Sequence, residues 1–270
     1  MIFFHNAHSY THFSYLYTKY NTSRQMKRIK TAILLATAAV AVTACNRKPV
    51  VPEFGMLPID TLLGTQDNGC NIEYRFATIG NAGKSAALEA IEKANIEYFF
   101  ELEEFAGTAR QAADSAILQV AADIVLPEGM SQGIGAYEIS VESEGSVQDT
   151  LVTYSISRWS FTGGAHGIYG TECYNYSLAG GYEITTADLF TETQLERLNR
   201  LIREDIYEQY GVRSDEELET KGFFPEYIGV TENFLVTPEG ITFYYNPYDI
   251  GCYALGSVEV SVSREQLAGL

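Results

Sequence analysis

The residues of this chain that could take part in chemistry centre on one histidine. His166 lies in the run FTGGAHG, where Gly163 and Gly164 permit a tight turn and leave backbone N–H groups accessible. Two functional interpretations fit this loop: it binds a ligand, or His166 acts as a base with Asp188 or Glu172 beside it. A histidine bonded to its own turn is the third interpretation, and the sequence leaves all three open.

Other kinds of active site lack their sequence signatures. A zinc site needs several ligands, yet the chain has no C-x-x-C and no H-E-x-x-H. The Gly163-Gly164 pair lacks the ending of a phosphate loop, and no glycosidase pair stands out among 35 acidic residues. We therefore predict no catalytic residues, no metal and no cofactor, in a protein that is not an enzyme.

Tyrosines flank the same loop and a second segment further along the chain. Tyr169 follows the Gly-rich loop, and Tyr248 and Tyr253 lie in the run YDIGCYALG. Tyrosine suits binding surfaces because its ring is apolar and its hydroxyl is polar. Most tyrosines in strands, and the single tryptophan Trp159, are instead expected in the core. The candidate ligand-binding residues are Gly163, Gly164, His166, Tyr169, Tyr248 and Tyr253.

The N-terminal region has the pattern of a bacterial lipoprotein signal. Within 26–45, Lys27, Arg28 and Lys30 precede a short apolar stretch, and Val-Thr-Ala-Cys45 matches the lipobox whose cysteine receives the lipid. The apolar stretch is shorter than the ~20 residues that cross a bilayer. We predict that Cys45 carries an acyl anchor such as palmitate, and an ordinary signal peptide is the alternative.

Removal of this signal leaves a strongly acidic mature chain. Residues 1–25 are interpreted as an upstream extension that is not made or is removed. Five of the 18 basic residues and none of the 35 acidic residues lie within 1–44, so the mature chain has 13 basic residues and a formal charge of −22. This charge excludes nucleic acid as a partner, because phosphate binding needs clustered lysine and arginine. It favours encounter with cationic partners.

The remaining pattern predicts an α+β fold with helices packed on antiparallel β-sheets and two small subdomains. Prolines over 46–70 indicate a tether. An N-terminal α+β domain over 71–161 has one strand, two helices and further strands. A C-terminal α+β domain over 162–270 has a helix that a capping box at Thr193 opens and Gly211 ends, followed by a hairpin and a last strand.

Three motifs in order resemble a known family. The run FTGGAHG, the tripeptide DLF at Asp188 and the run YDIGCYALG at Tyr248 resemble the extracellular domain of the RsiV-like family, a domain of unknown function often preceded by a second uncharacterised domain. The resemblance covers roughly 70–265 and implies an α+β extracytoplasmic module. It also implies a receptor role, because in the anti-sigma factor of the family this region binds lysozyme. In a peptidoglycan deacetylase it precedes a separate catalytic domain.

The chain departs from both of these relatives. It has no T-F-D-D-G run of a deacetylase, and a lipobox stands where the anti-sigma factor has a spanning helix. We therefore expect a non-enzymatic binding or receptor module for a lysozyme-like protein or cell-wall glycan; a cell-wall polymer hydrolase or deacetylase-associated protein is the alternative. If the cell has two membranes, Asn46 after Cys45 favours the outer one, because the aspartate that signals inner-membrane retention is absent.

The other cysteines bear on how the motifs meet. Cys70, Cys173 and Cys252 remain for an oxidising compartment, and their odd number allows at most one disulfide. Cys173 follows the Gly-rich loop and Cys252 lies in the third motif. If these motifs face each other, Cys173 and Cys252 are the expected pair.

Overall fold

The computed structural model describes residues 48–65, 69–123 and 137–270, and these form an α+β fold, which confirms the predicted class. The strands are β1 Phe54–Gly64, β2 Gly69–Ile79, β3 Tyr137–Gln148, β4 Leu151–Phe161, β5 Ile168–Ser177, β6 Phe234–Val236, β7 Gly240–Tyr245 and β8 Val258–Ser263. The helices are α1 Ala86–Phe99, α2 Ala109–Asp123, α3 Thr186–Leu189, α4 Glu192–Tyr210, α5 Asp215–Lys221 and α6 Arg264–Ala268.

The N-terminal region differs from expectation where it is described. The predicted signal with its lipidation site Cys45, and the extension over 1–25, lie outside the described residues. The tether predicted over 46–70 is replaced by β1, which pairs antiparallel with β2 along its whole length. Within the described ranges, no helix is both long and apolar enough to cross a membrane.

Strands β1 to β5 form one sheet in chain order, antiparallel throughout except for the parallel pair β2 and β3. A parallel pair needs a long crossover, and α1 and α2 lie between these two strands in the chain. Alternate residues of β2 face the first hydrophobic core, where the Phe76 and Phe99 rings meet edge to face with centroids 5.1 Å apart. Tyr74 and Phe100 do the same at 5.5 Å.

A half-buried arginine contacts the end of α1. Apolar spacing predicts that this helix continues to Gly107, but it ends at Phe99, and Glu101 has a left-handed φ of 55°. The Arg158 guanidinium of β4 donates to the carbonyl oxygens of Tyr98 and Phe99 at 2.5 and 3.1 Å. These carbonyls belong to the last helical turn, where the helix itself supplies no donors. Arg158 therefore joins the helix end to the sheet.

Strands β6, β7 and β8 form a second antiparallel sheet that packs with α4. The helix buries Leu198, Ile202 and Ile206, spaced four residues apart on one face, without measurable exposure. Phe243 and Val260 of the sheet belong to the same hydrophobic cluster. The same spacing predicts this helix from the sequence. The second hydrophobic core of the protein lies between α4 and the sheet of β6, β7 and β8.

The caps of α4 show where its ends are set. The Thr191 side chain accepts from the backbone N–H of Gln194, whose side chain accepts from the backbone N–H of Thr191. This capping box lies two residues before the one predicted at Thr193. Gly211 ends the helix in the left-handed region with φ 63°, as predicted.

The two threonines offer a matched test of this cap. Thr191→Ala is expected to lower the free energy of unfolding by about 1 kcal/mol, because it removes the acceptor for a first-turn N–H. Thr193→Ala removes an exposed side chain beyond the cap and is expected to change it by less than about 0.5 kcal/mol. Urea unfolding of both variants measures the difference, and equal costs would contradict the assignment.

Three asparagines join β5 to the second sheet and the turn that follows it. Asn233 Nδ2 and Asn246 Nδ2 both donate to the carbonyl oxygen of Thr171, at 2.8 and 3.0 Å. Asn175 Nδ2 donates to the carbonyl oxygen of Phe234 at 2.8 Å. Side-chain amides thus satisfy backbone groups of both β5 and β6 where the two sheets meet.

Residues Pro49–Leu270 form one compact unit that contains two hydrophobic clusters. The boundary predicted between 71–161 and 162–270 does not separate these clusters. Strand β5 pairs with β4 on the first sheet, and the first cluster extends to Leu178. The two predicted subdomains are therefore two cores within one unit.

Candidate functional site

The Gly-rich loop and the run from Tyr248 to Tyr253 meet in the fold and form a cluster of rings. His166 stacks on Tyr253 with ring centroids 3.8 Å apart. Tyr169 and Tyr248 lie 6.0 and 5.7 Å from Tyr253 by the same measure. Trp159 of β4 is the cross-strand partner of Tyr169 on β5. We call these five side chains the aromatic surface.

Much of the aromatic surface is open to solvent. The exposed fractions of Trp159, Tyr169 and Tyr248 are 37%, 36% and 47%. His166 is also exposed, and Tyr253 is half-buried beneath it. Exposed groups of large apolar side chains mark interaction sites more often than they serve stability. This makes the cluster the strongest candidate for a recognition site among the described residues.

Backbone geometry of the Gly-rich loop places the histidine. Gly163 and Gly164 have φ of 94° and 103°, which side chains rarely adopt. His166 Nδ1 lies 2.9 Å from the carbonyl oxygen of Gly167, and the Tyr253 hydroxyl donates to the same oxygen at 2.5 Å. The two glycines thus shape the loop. The carbonyl oxygen of Gly167 lies within hydrogen-bonding distance of both His166 and Tyr253, whose rings stack on each other.

A hydrogen-bonded turn holds Tyr248 in a strained conformation. Its φ is 75°, although it is not glycine. Asn246 donates its backbone N–H to Asp249 Oδ2 at 2.7 Å and accepts from the Asp249 N–H at 2.9 Å. The Asn246 side chain in turn accepts from the backbone N–H of Thr171 at 2.7 Å. Strain kept by surrounding bonds is frequent at functional sites.

The last glycine of the third motif, Gly256, also shapes the aromatic surface. Gly256 has φ of 74°, and a Cβ added there would lie 3.1 Å from the Tyr169 hydroxyl oxygen. Glycine at this position therefore leaves room for the Tyr169 ring to approach Tyr253.

The electrostatic environment of the cluster is set by rings rather than by charges. Desolvation raises the pKa of Tyr253, and the neighbouring Tyr169 and Tyr248 raise this pKa further. Within the described ranges, no ion pair includes any of the five side chains. The surface offers apolar ring faces with polar tips that form no ion pair within the described residues.

The interpretation of His166 as a base receives no support from the two carboxylates considered for it. Asp188 Oδ2 accepts from the backbone N–H of Thr185 at 2.8 Å and caps α3. Glu172 is buried, where it accepts from Arg158 Nε at 3.0 Å and from the Tyr174 hydroxyl at 2.8 Å. Among the residues that the structure describes, no three His, Cys, Asp or Glu side chains gather as a metal site.

The structure corrects the expected disulfide. Cys70, Cys173 and Cys252 are three separate thiols. Cys173 is buried on β5, whereas a Cβ added at Gly222 would lie 2.8 Å from Cys252 Sγ, so this sulfur packs at the end of α5. The two motifs do face each other, but through their aromatic rings. Burial raises the pKa of the Cys70 thiol.

Thiol labelling is expected to separate these cysteines. Iodoacetamide should modify Cys252 first, because it is partly exposed, while Cys70 and Cys173 should react only when the protein opens. Mass spectrometry of the native protein over time checks this order. A peptide linked through Cys173 and Cys252 in the non-reduced digest would contradict it.

Trp159 is the member of the cluster that sequence reasoning missed. It was expected in the core, yet it points to the face of β4 opposite the buried Val152, Tyr154 and Ile156. The signal was its odd spacing from these three residues, since side chains alternate along a strand. The ring lies against Gly167, where an added Cβ would lie 3.2 Å from it.

Comparison with known proteins identifies a domain without an assigned role. Residues 187–265 match the family model described as "Protein of unknown function (DUF3298)". This range contains the second and third motifs of the sequence, but not the Gly-rich loop. No curated protein matches the chain.

Two solved structures are similar to the whole described fold. One is a crystal structure of a DUF3298 family member from Bacteroides fragilis, with 26% identity, a TM-score of 0.69, and coverage of 83% of this chain and 95% of that chain. The other is a DUF3298 family protein from Pseudomonas aeruginosa, with 15% identity and a TM-score of 0.61, covering 82% and 94%. At 15% identity the second likeness shows the fold alone.

Proposed function

We propose that this protein is an envelope-anchored, non-enzymatic binding module, and that the aromatic surface recognises its ligand. A lysozyme-like protein and a cell-wall glycan are the two ligand classes. The observation that carries the proposal is the exposure of Trp159, Tyr169 and Tyr248 around the His166 stack. Rings held in place by backbone bonds lose little conformational freedom on binding, and they serve as anchors in interfaces.

Charge supports a cationic muramidase as the protein partner. The mature chain carries a formal charge of −22, and muramidases of the lysozyme type are commonly cationic. Opposite charges speed encounter, while buried rings supply the affinity that exposed charges lack. The RsiV-like resemblance supports the same partner.

A salt titration tests whether the protein binds a cationic muramidase. Binding of hen lysozyme to the mature chain with Cys45→Ser, which removes the acyl anchor, is expected to weaken as salt rises from about 50 to 500 mM, because exposed charges are screened. Calorimetry measures it, with cytochrome c as a cationic control that should bind much less. Equal binding of both proteins would show that the interaction depends on charge alone. No binding of lysozyme at low salt would exclude a muramidase as the partner.

The anchor and the localisation in the outer membrane belong to the same proposal. Cys45→Ala is expected to abolish fatty-acid labelling and to leave the precursor uncleaved by the lipoprotein signal peptidase. Metabolic labelling with radioactive palmitate and gel analysis check both results. Labelling that survives the substitution would refute the anchor.

The non-enzymatic part of the proposal has a direct assay. The mature chain incubated with purified cell wall is expected to release neither reducing sugar nor acetate. Turnover that depends on enzyme concentration would show a cell-wall hydrolase or deacetylase instead.

A further inference from the structure

The side chains of the aromatic surface suit a narrower class of ligands than a general interaction site does. Its polar groups are the hydroxyls of Tyr169, Tyr248 and Tyr253, the indole N–H of Trp159 and the second nitrogen of His166. None of these five side chains forms an ion pair within the described residues. Asp249, which follows Tyr248, directs its carboxylate to the backbone N–H of Asn246. A ligand that matches this surface is bound through ring faces and hydrogen bonds, and no carboxylate, lysine or arginine belongs to the surface.

The surface is also formed before any ligand arrives. Tyr253 is tied to the carbonyl oxygen of Gly167 at 2.5 Å, and its ring stacks on His166 at 3.8 Å. Tyr248 is held at φ 75° by the Asn246 turn, which is bonded to β5. Sites for small ligands are usually preformed and lined by apolar and aromatic groups with a few placed polar atoms.

We infer that the aromatic surface binds the sugar rings of an uncharged glycan. This inference rests on the proposed function and selects one of its two ligand classes. A pyranose ring has an apolar C–H face that stacks on an aromatic ring, and a rim of hydroxyl groups that bond to tyrosine hydroxyls and the indole N–H. The charge of −22 disfavours anionic polymers, which leaves neutral sugars as the matching ligand.

The fluorescence of Trp159 provides a direct measurement of sugar binding. This residue is the single tryptophan of the chain and lies within the aromatic surface, so its emission reports on that surface alone. Titration of the mature chain, with Cys45→Ser, with the tetrasaccharide of N-acetylglucosamine is expected to give a saturable change in emission. The midpoint is expected to be insensitive to salt, because screening acts on charges and not on stacking.

Two variants locate the binding, and one serves as the control. Tyr248→Gly removes a ring but accepts the left-handed backbone, so it should fold and still weaken binding by at least about tenfold. Tyr253→Ala should weaken it by at least as much. Tyr227→Ala removes a ring that is 65% exposed and belongs to another pair, with Phe224, and should leave the affinity unchanged.

The possible outcomes distinguish a failure of the glycan inference from a failure of the proposed function. No saturable change with the sugar, while lysozyme binding requires Tyr253, would overturn the glycan inference and leave the proposed function intact. Sugar binding of equal strength in the Tyr248→Gly variant would overturn the assignment to this surface. Failure of both the sugar and lysozyme to bind would remove the inference and the proposed function together.

Discussion

Arg158→Met is expected to lower the free energy of unfolding by about 3–5 kcal/mol, because it removes one partner of an ion pair that is largely shielded from solvent. The guanidinium is 20% exposed and pairs with the Glu172 carboxylate, which is 9% exposed. The substitution leaves a buried carboxylate without its cation and removes the donors to the carbonyl oxygens of Tyr98 and Phe99. Urea unfolding monitored by circular dichroism measures the loss.

An exposed ion pair provides the matched control. Arg75 and Asp60 form a salt bridge of 2.7 Å with side chains that are 33% and 62% exposed. Arg75→Met is expected to cost much less than Arg158→Met, because solvent already screens the pair. Equal costs for Arg75→Met and Arg158→Met would show that Arg158 does not stabilise the junction of α1 with the sheet.

Tyr253→Ala is expected to weaken ligand binding by about 30-fold, as for a ring at the centre of an interface. Tyr253 contacts three other members of the aromatic surface, so its removal leaves His166, Tyr169 and Tyr248 without their common support. Calorimetry with hen lysozyme, and tryptophan fluorescence with the sugar, measure the effect on the two ligand classes.

The folded state of this variant needs its own control. Tyr253→Phe keeps the ring but loses the hydrogen bond to the Gly167 carbonyl oxygen, and it should retain most of the affinity if ring contact dominates. An unchanged affinity in Tyr253→Ala, with unfolding at the wild-type urea concentration, would show that the ring does not take part in recognition.

Most of the elements could be predicted from the sequence because their signals are local. The alternation in β2, the apolar spacing in α4 and the hairpin of β6 and β7 all lie where the pattern placed them. Strand β1 was missed because Pro58 in its middle, with Pro49 and Pro52 before it, indicated a tether, although Leu57, Ile59 and Leu63 alternate with exposed residues as on an edge strand.

Other errors had long-range causes. Part of the end of α1 is bonded to Arg158, which lies 59 residues after Phe99, so this contact could not be read from the helix's own sequence. The capping box of α4 was misplaced by two residues, since Thr191 and Thr193 each have a suitable residue three positions later. Element boundaries are sensitive to such competition between neighbouring caps.

The candidate site was predicted in part. His166, Tyr169, Tyr248 and Tyr253 come together as expected for two motifs that face each other. Gly163 and Gly164 set the loop conformation and lie outside the ring contacts. Which atoms join the motifs could not be read from spacing, since rings rather than the thiols of Cys173 and Cys252 make the contact.

Residue-level footprinting tests most directly whether the aromatic surface is the recognition site. Hydroxyl radicals oxidise exposed aromatic side chains, and mass spectrometry measures the oxidation of each one with and without a ligand. With solubilised cell-wall glycan or with lysozyme, Trp159, Tyr169 and Tyr248 are expected to become protected while Phe224 and Tyr227 stay unchanged. Unchanged oxidation of the aromatic surface with both ligands, or protection confined to Phe224 and Tyr227, would contradict this account.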